Sequence, residues 1–430
     1  MKTAVSIFAL TAFAMTPAIA ADPAKINWSK IPVKSETLFY PAQASYEWVR
    51  SDKHPGASVV QTGGACVTCH EGKQKAMGDK LVKGGLMDPM PVKGKKGTID
   101  LKVQAAYDAK NAYFRFQWKT QYPDPGTEHQ YLRFDGKAWK VHGYPKLDQV
   151  VQEGKQPAIY EERMTIMLDD GKVPGFAQQG CWLTCHDGMR DMAKQFTSEE
   201  VKANPLLTAI KKNDVRKYLP STRTNPSDWK TGKSLEEIAK LKAAGAFVEL
   251  IQWRGHRSNP VGMADDGYVL DFRYSDAGKD MFSGNADAKT HAPKFMWDQK
   301  KVGYKSITAK DLRKGNHFLI REVNAVPFDP NAGWKEGDMI PDYMTSRADA
   351  AGSAADNNAI ANWKQGTWTL VMVRPLGLSN SDDKALKDGG VYNVGFAVHD
   401  DNITTRGHHV SFVRTLGLGA KADIQAVKLP

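Results

Sequence analysis

The chain has 430 residues, a formal net charge of +11 and four cysteines. That length holds one large domain with a small one, or two ordinary domains. Beyond the first twenty residues no stretch approaches eighteen apolar residues, which excludes an integral membrane segment there. The basic residues are too dispersed to bind nucleic acid, and their spread suits steering of acidic protein partners.

Residues 1–20 carry Lys2, an apolar run from Ala4 to Met15 and the small-x-small site Ala18-Ile19-Ala20. This is the grammar of a secretory signal peptide and predicts export to the periplasm, with the net charge falling by one when Lys2 leaves. Four cysteines in an oxidising compartment allow two disulfides. Their placement argues otherwise, because they form two close pairs, each followed at once by histidine.

Residues 21–95 read as a small irregular segment rich in Gly, Pro and Lys. It contains Cys66-Val67-Thr68-Cys69-His70. Two thiols three residues apart each add to a haem vinyl group, and the adjoining histidine, His70, serves as proximal iron ligand. A redox pair would want a thioredoxin-like βαβ setting, and a zinc site would want a closed tetrahedron with further ligands. An iron that only exchanges electrons needs a sixth ligand. His54 is the candidate, with Met77, Met87 and Met90 as rivals. The run Trp48-Val49-Arg50-Ser51-Asp52-Lys53-His54 resembles the Trp…Ser…His run that supplies distal ligands in multihaem cytochromes.

From Ile99 onward apolar and polar residues alternate, as in half-buried strands. Ile99–Ala105 and Tyr113–Trp118 lead, and Met164–Leu168 follows. Cys181-Trp182-Leu183-Thr184-Cys185-His186 is the second pair, with one more spacer residue. Positions three and four apart both return to one face of a helical turn, so the longer spacer is compatible with covalent haem and with His186 as proximal ligand. A local disulfide and a non-covalent haem held by His186 are the alternatives. Between about 187 and 245 the chain reads as a helical insertion, with a capping box at Ser234–Glu237 and Gly245 as a stop. Further strands are predicted at Phe247–Trp253, Tyr268–Tyr274, Phe318–Val323, Trp368–Arg374, Tyr392–His399 and His409–Leu416. The fold expected for 96–430 is mainly β, an antiparallel β-sandwich.

Several stretches in order carry a family likeness: Val103–Asp108 leading to Tyr113–Trp118, Glu162–Met167, Trp253–Pro260, Val326–Pro330 with Gly337–Pro341, and Phe396–Asp401 with Arg406–Ser411. From Ile99 to its end the chain resembles the haem-binding domain of the ethylbenzene dehydrogenase gamma subunit and related cytochromes. The resemblance implies a β-sandwich with a haem held between loops at its edge. In gamma subunits that haem is non-covalent and held by a methionine and a lysine. Here His408 or His409 stands near the lysine's place, so the resemblance implies His408 as distal ligand of the second haem, with His409 and Met167 as runners-up. Adjacent strand residues face opposite ways, so only one of the two histidines can meet the iron. His256 and His399 lie in family stretches and are expected to pack or hydrogen-bond.

The function expected is that of a periplasmic cytochrome with two haem c groups, exchanging electrons with protein donors and acceptors rather than catalysing a reaction. An electron-transfer subunit of a molybdenum oxidoreductase, with a molybdenum enzyme as partner, is one alternative. A haem enzyme with an open iron position is the other.

Overall fold

The alternation of side chains that begins at Ile99 becomes real strands in the computed structural model, which describes residues 22–84, 91–122, 124–192, 194–315, 317–404 and 407–430. The signal-peptide reading and the rival ligands Met87 and Met90 fall outside these residues. One thirteen-stranded sheet organises the molecule. Its strands are β1 (Lys34–Phe39), β2 (Thr98–Tyr107), β3 (Asn111–Lys119), β4 (Arg163–Asp169) and β5 (Val248–Arg254). Next come β6 (Gly267–Val269), β7 (Arg273–Ser275), β8 (Asn358–Lys364) and β9 (Thr367–Pro375). The last are β10 (Val391–His399), β11 (His409–Val410), β12 (Arg414–Leu418) and β13 (Ile424–Lys428). They run in the order β8-β9-β3-β2-β1-β11-β10-β4-β5-β6-β7, with β12 on β10 and β13 joining β12 to β2. The pairing is antiparallel except at β13, which is parallel to both its neighbours.

The sheet folds over on itself. Trp253 of β5 meets Trp118 of β3 and Trp368 of β9, with ring centroids 5.9 and 4.8 Å apart. Phe116 of β3 meets Phe396 of β10 at 5.7 Å. The expected sandwich is therefore present, and its core is the apolar face of every long strand. Truncating one such buried aromatic costs about 3–5 kcal/mol.

Three strand predictions need correction. Tyr268–Tyr274 is not one strand but the pair β6–β7, folded back so that Tyr268 faces Tyr274. Asp271 at the turn accepts the Tyr274 hydroxyl at 2.9 Å. Phe318–Val323 is not a strand. The Asn324 side chain accepts the Ile320 N–H and donates to Phe318 O, closing a local turn, a competition with sheet pairing that asparagine often wins. His409–Leu416 is broken between β11 and β12. Ala397 faces Val410 and Val394 faces Arg414, so the later strand carries one extra residue over that interval, a β-bulge.

The stretch read as irregular contributes β1, which pairs with β2 along its length and touches β11. Helices α1 (Tyr46–Val49), α2 (Ala57–Gln61), α3 (Cys66–His70) and α4 (Gln74–Leu81) follow it. The helix α5 (Phe176–Gln179) precedes the second motif. The stretch expected to be a helical insertion is α-helical only at α6 (Ser198–Lys202), α7 (Pro205–Ala209) and α8 (Leu235–Ala243), with turns and irregular chain between them, and α8 has the expected Ser234–Glu237 capping box. A satellite core is built around Trp139, Trp297 and Ile340. Its short strands fall outside the predicted set.

Candidate functional site

Helix α3 puts Cys66 and His70 four residues apart, on one face. Cys66 is partly buried and Cys69 exposed, and burial pushes the Cys66 thiol up to about 11. The preceding turn delivers His54. Ser45 caps α1 by accepting the Trp48 N–H, the Ser51 hydroxyl donates to Trp48 O, and the His54 N–H donates to Ser51 O. The His54 ring lies on Trp48, and its Nδ1 sits 2.8 Å from Val49 O. That contact fixes the Nδ1–H tautomer and leaves Nε2 as the free lone pair.

The His54 and His70 rings are 6.1 Å apart between centroids, with planes within 26°. A first-row metal about 2 Å from each nitrogen, with about 1 Å from nitrogen to ring centre, needs a separation of about 6 Å. Burial, then the nearby His54, depresses the His70 pKa, favouring the neutral ligand form. Arg414 of β12 fastens the helix to the sheet, donating to Glu36 at 2.9 Å and to Glu71 at 2.8 and 2.9 Å. Met77 packs in the apolar cluster beside this site. Thiols, imidazoles and spacing fit a haem here.

The second motif begins in a short 3-10 helix, Gly180–Thr184, and leaves it at Cys185, which is extended, so the helical turn expected across the whole motif is not formed. Gly180 has φ +56°, and a Cβ there would stand 2.7 Å from a Val413 methyl. Burial pushes the Cys181 thiol up to about 12 and raises Cys185. Cys181 opens onto a cavity of about 520 Å³, whose wall also holds Met167, Met189, Phe396 and His408. Cys185 lines a small void beside it, shared with Cys181 and His408. A cavity of this volume suits one medium-sized organic ligand.

The wall is also cationic, with Arg163, Arg254, Arg257 and Arg273. Arg254 is held bidentate by both oxygens of Asp265, and the Arg257 guanidinium lies on Glu161 Oε1. The Nε of Arg163 has no partner. Burial and the neighbouring arginines depress Arg163 strongly, and burial followed by Arg254 brings Arg273 down to about 10. Anionic groups such as porphyrin propionates would relieve this crowding. The wall therefore fits a haem as well.

The candidate ligands divide. His408 is in the cavity wall, stacked at 4.7 Å on His399. His409 turns away, with Nε2 2.8 Å from Lys96 O. His186 is fully buried outside that wall. Its Nδ1 lies 2.7 Å from Glu47 Oε1, its Nε2 lies 3.0 Å from Tyr218 O, and its ring stacks on Tyr218 at 3.6 Å. His256 is a hydrogen-bonding residue, with Nδ1 2.8 Å from Thr127 O. Sequence reasoning missed the buried His129 and the arginine group. Arg163, Arg254 and Arg257 sit inside the family stretches, and the position of Arg163 and Arg254 in strands was the available signal.

The two motifs are neighbours. Cys66 and Cys181 pack on one apolar cluster with Phe39, Trp182 and Phe412. Phe412 lies 6.3 Å from His70 and 5.8 Å from Trp182 between ring centroids.

A mainly-β sandwich with two neighbouring cysteine–histidine motifs and a cation-walled cavity defines the class, a cofactor-binding β-sandwich protein. The sequence profile of the ethylbenzene dehydrogenase family matches residues 24–411, and the chain belongs to that family. It is similar to cytochrome c-552 of Stutzerimonas stutzeri, 26% identical over 427 residues, covering 98% of this chain and 97% of that protein. It is also similar to cytochrome c-551 of Rhodocyclus tenuis, 33% identical over 170 residues, covering 39% of this chain and 57% of that protein. Among the described residues no helix is long and apolar enough to cross a membrane.

Proposed function

We propose that this protein is a periplasmic electron carrier with two covalent haem c groups, attached through Cys66/Cys69 and Cys181/Cys185. The observation that carries the reading is the spacing of His54 and His70 beside a C-x-x-C-H helix. Haem supplies reversible one-electron exchange at iron. The chain's residues hold, tune and shield it. His70 and His54 are the ligands at the first motif, and a bis-histidine pair favours a lower potential than histidine–methionine.

At the second motif His186 and His408 are the proposed ligands. For His186 this means that Nε2 gives up Tyr218 O for the metal while Glu47 stays on Nδ1, a carboxylate–histidine–metal arrangement. Met167, in the cavity wall, is the alternative partner. Protein donors and acceptors are the proposed partners, and the positive net charge favours acidic ones. A second reading, an electron-transfer subunit of a molybdenum oxidoreductase, is favoured by the family to which the chain belongs.

The test is intact mass and haem staining of protein made with the cytochrome maturation machinery. Two haem masses should survive denaturation. A single retained mass would confine covalent attachment to the first motif, and colourless protein would end the electron-carrier reading.

A further inference from the structure

In the loops that follow β7 and β9, three buried carboxylates converge without forming an ion pair. Asp276 follows β7, and Asp382 and Asp383 lie in the loop between β9 and β10. Each is at most 7% exposed. One carboxylate oxygen from each lies within 4.8 Å of the others. Neither oxygen of Asp276 has a hydrogen-bond partner, nor does Oδ1 of Asp383. The remaining contacts orient the group: the Ala277 N–H and the Ser353 hydroxyl donate to Asp382, and Ser353 and Asn380 donate to Asp383 Oδ2.

The nearest cationic side chains are committed elsewhere. Arg374 donates to both oxygens of Glu249 and to two backbone carbonyls. Lys384 Nζ goes to Asp170 and Gly245 O. Among the described residues no ion pair reaches Asp276, Asp382 or Asp383. Buried charge is otherwise paired or metal-bound, because desolvating it alone is costly.

We propose that Asp276, Asp382 and Asp383 form a calcium site. All three donors are hard carboxylate oxygens, with no nitrogen or sulfur that would select a transition metal. Calcium takes oxygen ligands at about 2.3–2.6 Å in flexible geometry, so it spans atoms this far apart more readily than magnesium does. Glu249, Asp266 and Asp383 make a neighbouring acidic group, but Arg374 already occupies Glu249. The bound ion ties the segments around 276, 353 and 382 together at the far edge of the sandwich.

The test uses the full, matured protein stripped with chelator, then titrated with calcium chloride by calorimetry and followed by thermal unfolding. One calcium should bind, at least about tenfold more tightly than magnesium, and raise the melting temperature. Asp276→Asn and Asp383→Asn should each weaken binding by about tenfold or more, and Asp266→Asn should not. Asparagine keeps the shape of aspartate, and circular dichroism verifies folding. Metal analysis of unstripped protein gives a readout that needs no variant. Absence of both binding heat and a melting shift in the wild type overturns the site, which would leave the carboxyls sharing protons. Wild-type affinity in both Asp276→Asn and Asp383→Asn overturns it too, as does selective loss in Asp266→Asn.

Discussion

At the scale of single residues, a ligand depends on what holds its other nitrogen. Val49 O fixes His54 at Nδ1, whereas His186 is engaged at both nitrogens. His54→Met should therefore keep a six-coordinate iron while raising the potential of one haem only, because a thioether raises the potential relative to imidazole. A spectroelectrochemical titration with two resolved steps checks this, and unchanged midpoints would remove His54 from the ligand set. The cysteine motifs were legible because each is a local spacing of two cysteines and a histidine. The cation wall was not, since Arg163, Arg254 and Arg273 come from separate strands. A half-buried acid beside that wall offers a pH test. Burial lifts the Asp342 carboxyl to about 6, against the pull of Arg257 and Lys294. The native state then binds the extra proton between about 4 and 6, so stability falls as pH rises through that window. Asp342→Asn should raise the melting temperature by about 1–2 °C at pH 7.5 and leave it unchanged near pH 3.5. A shift of equal size at both pH values would mean that the carboxyl's charge plays no part.

At the scale of elements, the bulge between β11 and β12 positions the contact between the two motifs. Its extra residue interrupts the ladder where Phe412 packs between Trp182 and His70. Val413, the next residue, closes on Gly180. Period-two alternation marks strand content but carries no sign of a bulge, so His409–Leu416 read as one strand, and the β6–β7 hairpin was hidden for the same reason. The capping box at Ser234 was legible because side chain and backbone meet within one turn. Gly180 requires both a positive φ and space against Val413. Gly180→Ala should cost about 1–3 kcal/mol and lower haem occupancy at the second motif while sparing the first. The companion Val413→Ala should recover part of the loss by removing the methyl, leaving the cost of φ. Peptide-resolved haem mapping distinguishes the motifs, and equal loss at both would deny this local role.

At the scale of the molecule, the alternating pattern announced a β-sandwich, and that architecture is present. The closure of one long sheet into two facing layers was not readable, because it depends on pairings hundreds of residues apart, such as β9 with β3. The same closure buries a charge pair between layers. Arg374 of β9 donates to Glu249 of β5 at 2.6 and 2.7 Å, and both side chains are at most 1% exposed. Removing one partner of such a pair costs about 3–5 kcal/mol, because the other is left buried and unpaired. The two removals should differ here. Glu249→Gln strands an arginine that still has Asp266 and Asp383 nearby to favour its charge. Arg374→Met strands Glu249 and also strips the neighbouring carboxylates of their nearest cation. Chelator-stripped Arg374→Met should therefore lose more stability than Glu249→Gln, read as the shift in urea midpoint at constant slope. The double variant should lose less than the sum, since it leaves no unpaired partner. An equal loss from the two single changes would show that the pair is isolated from the acidic group around it.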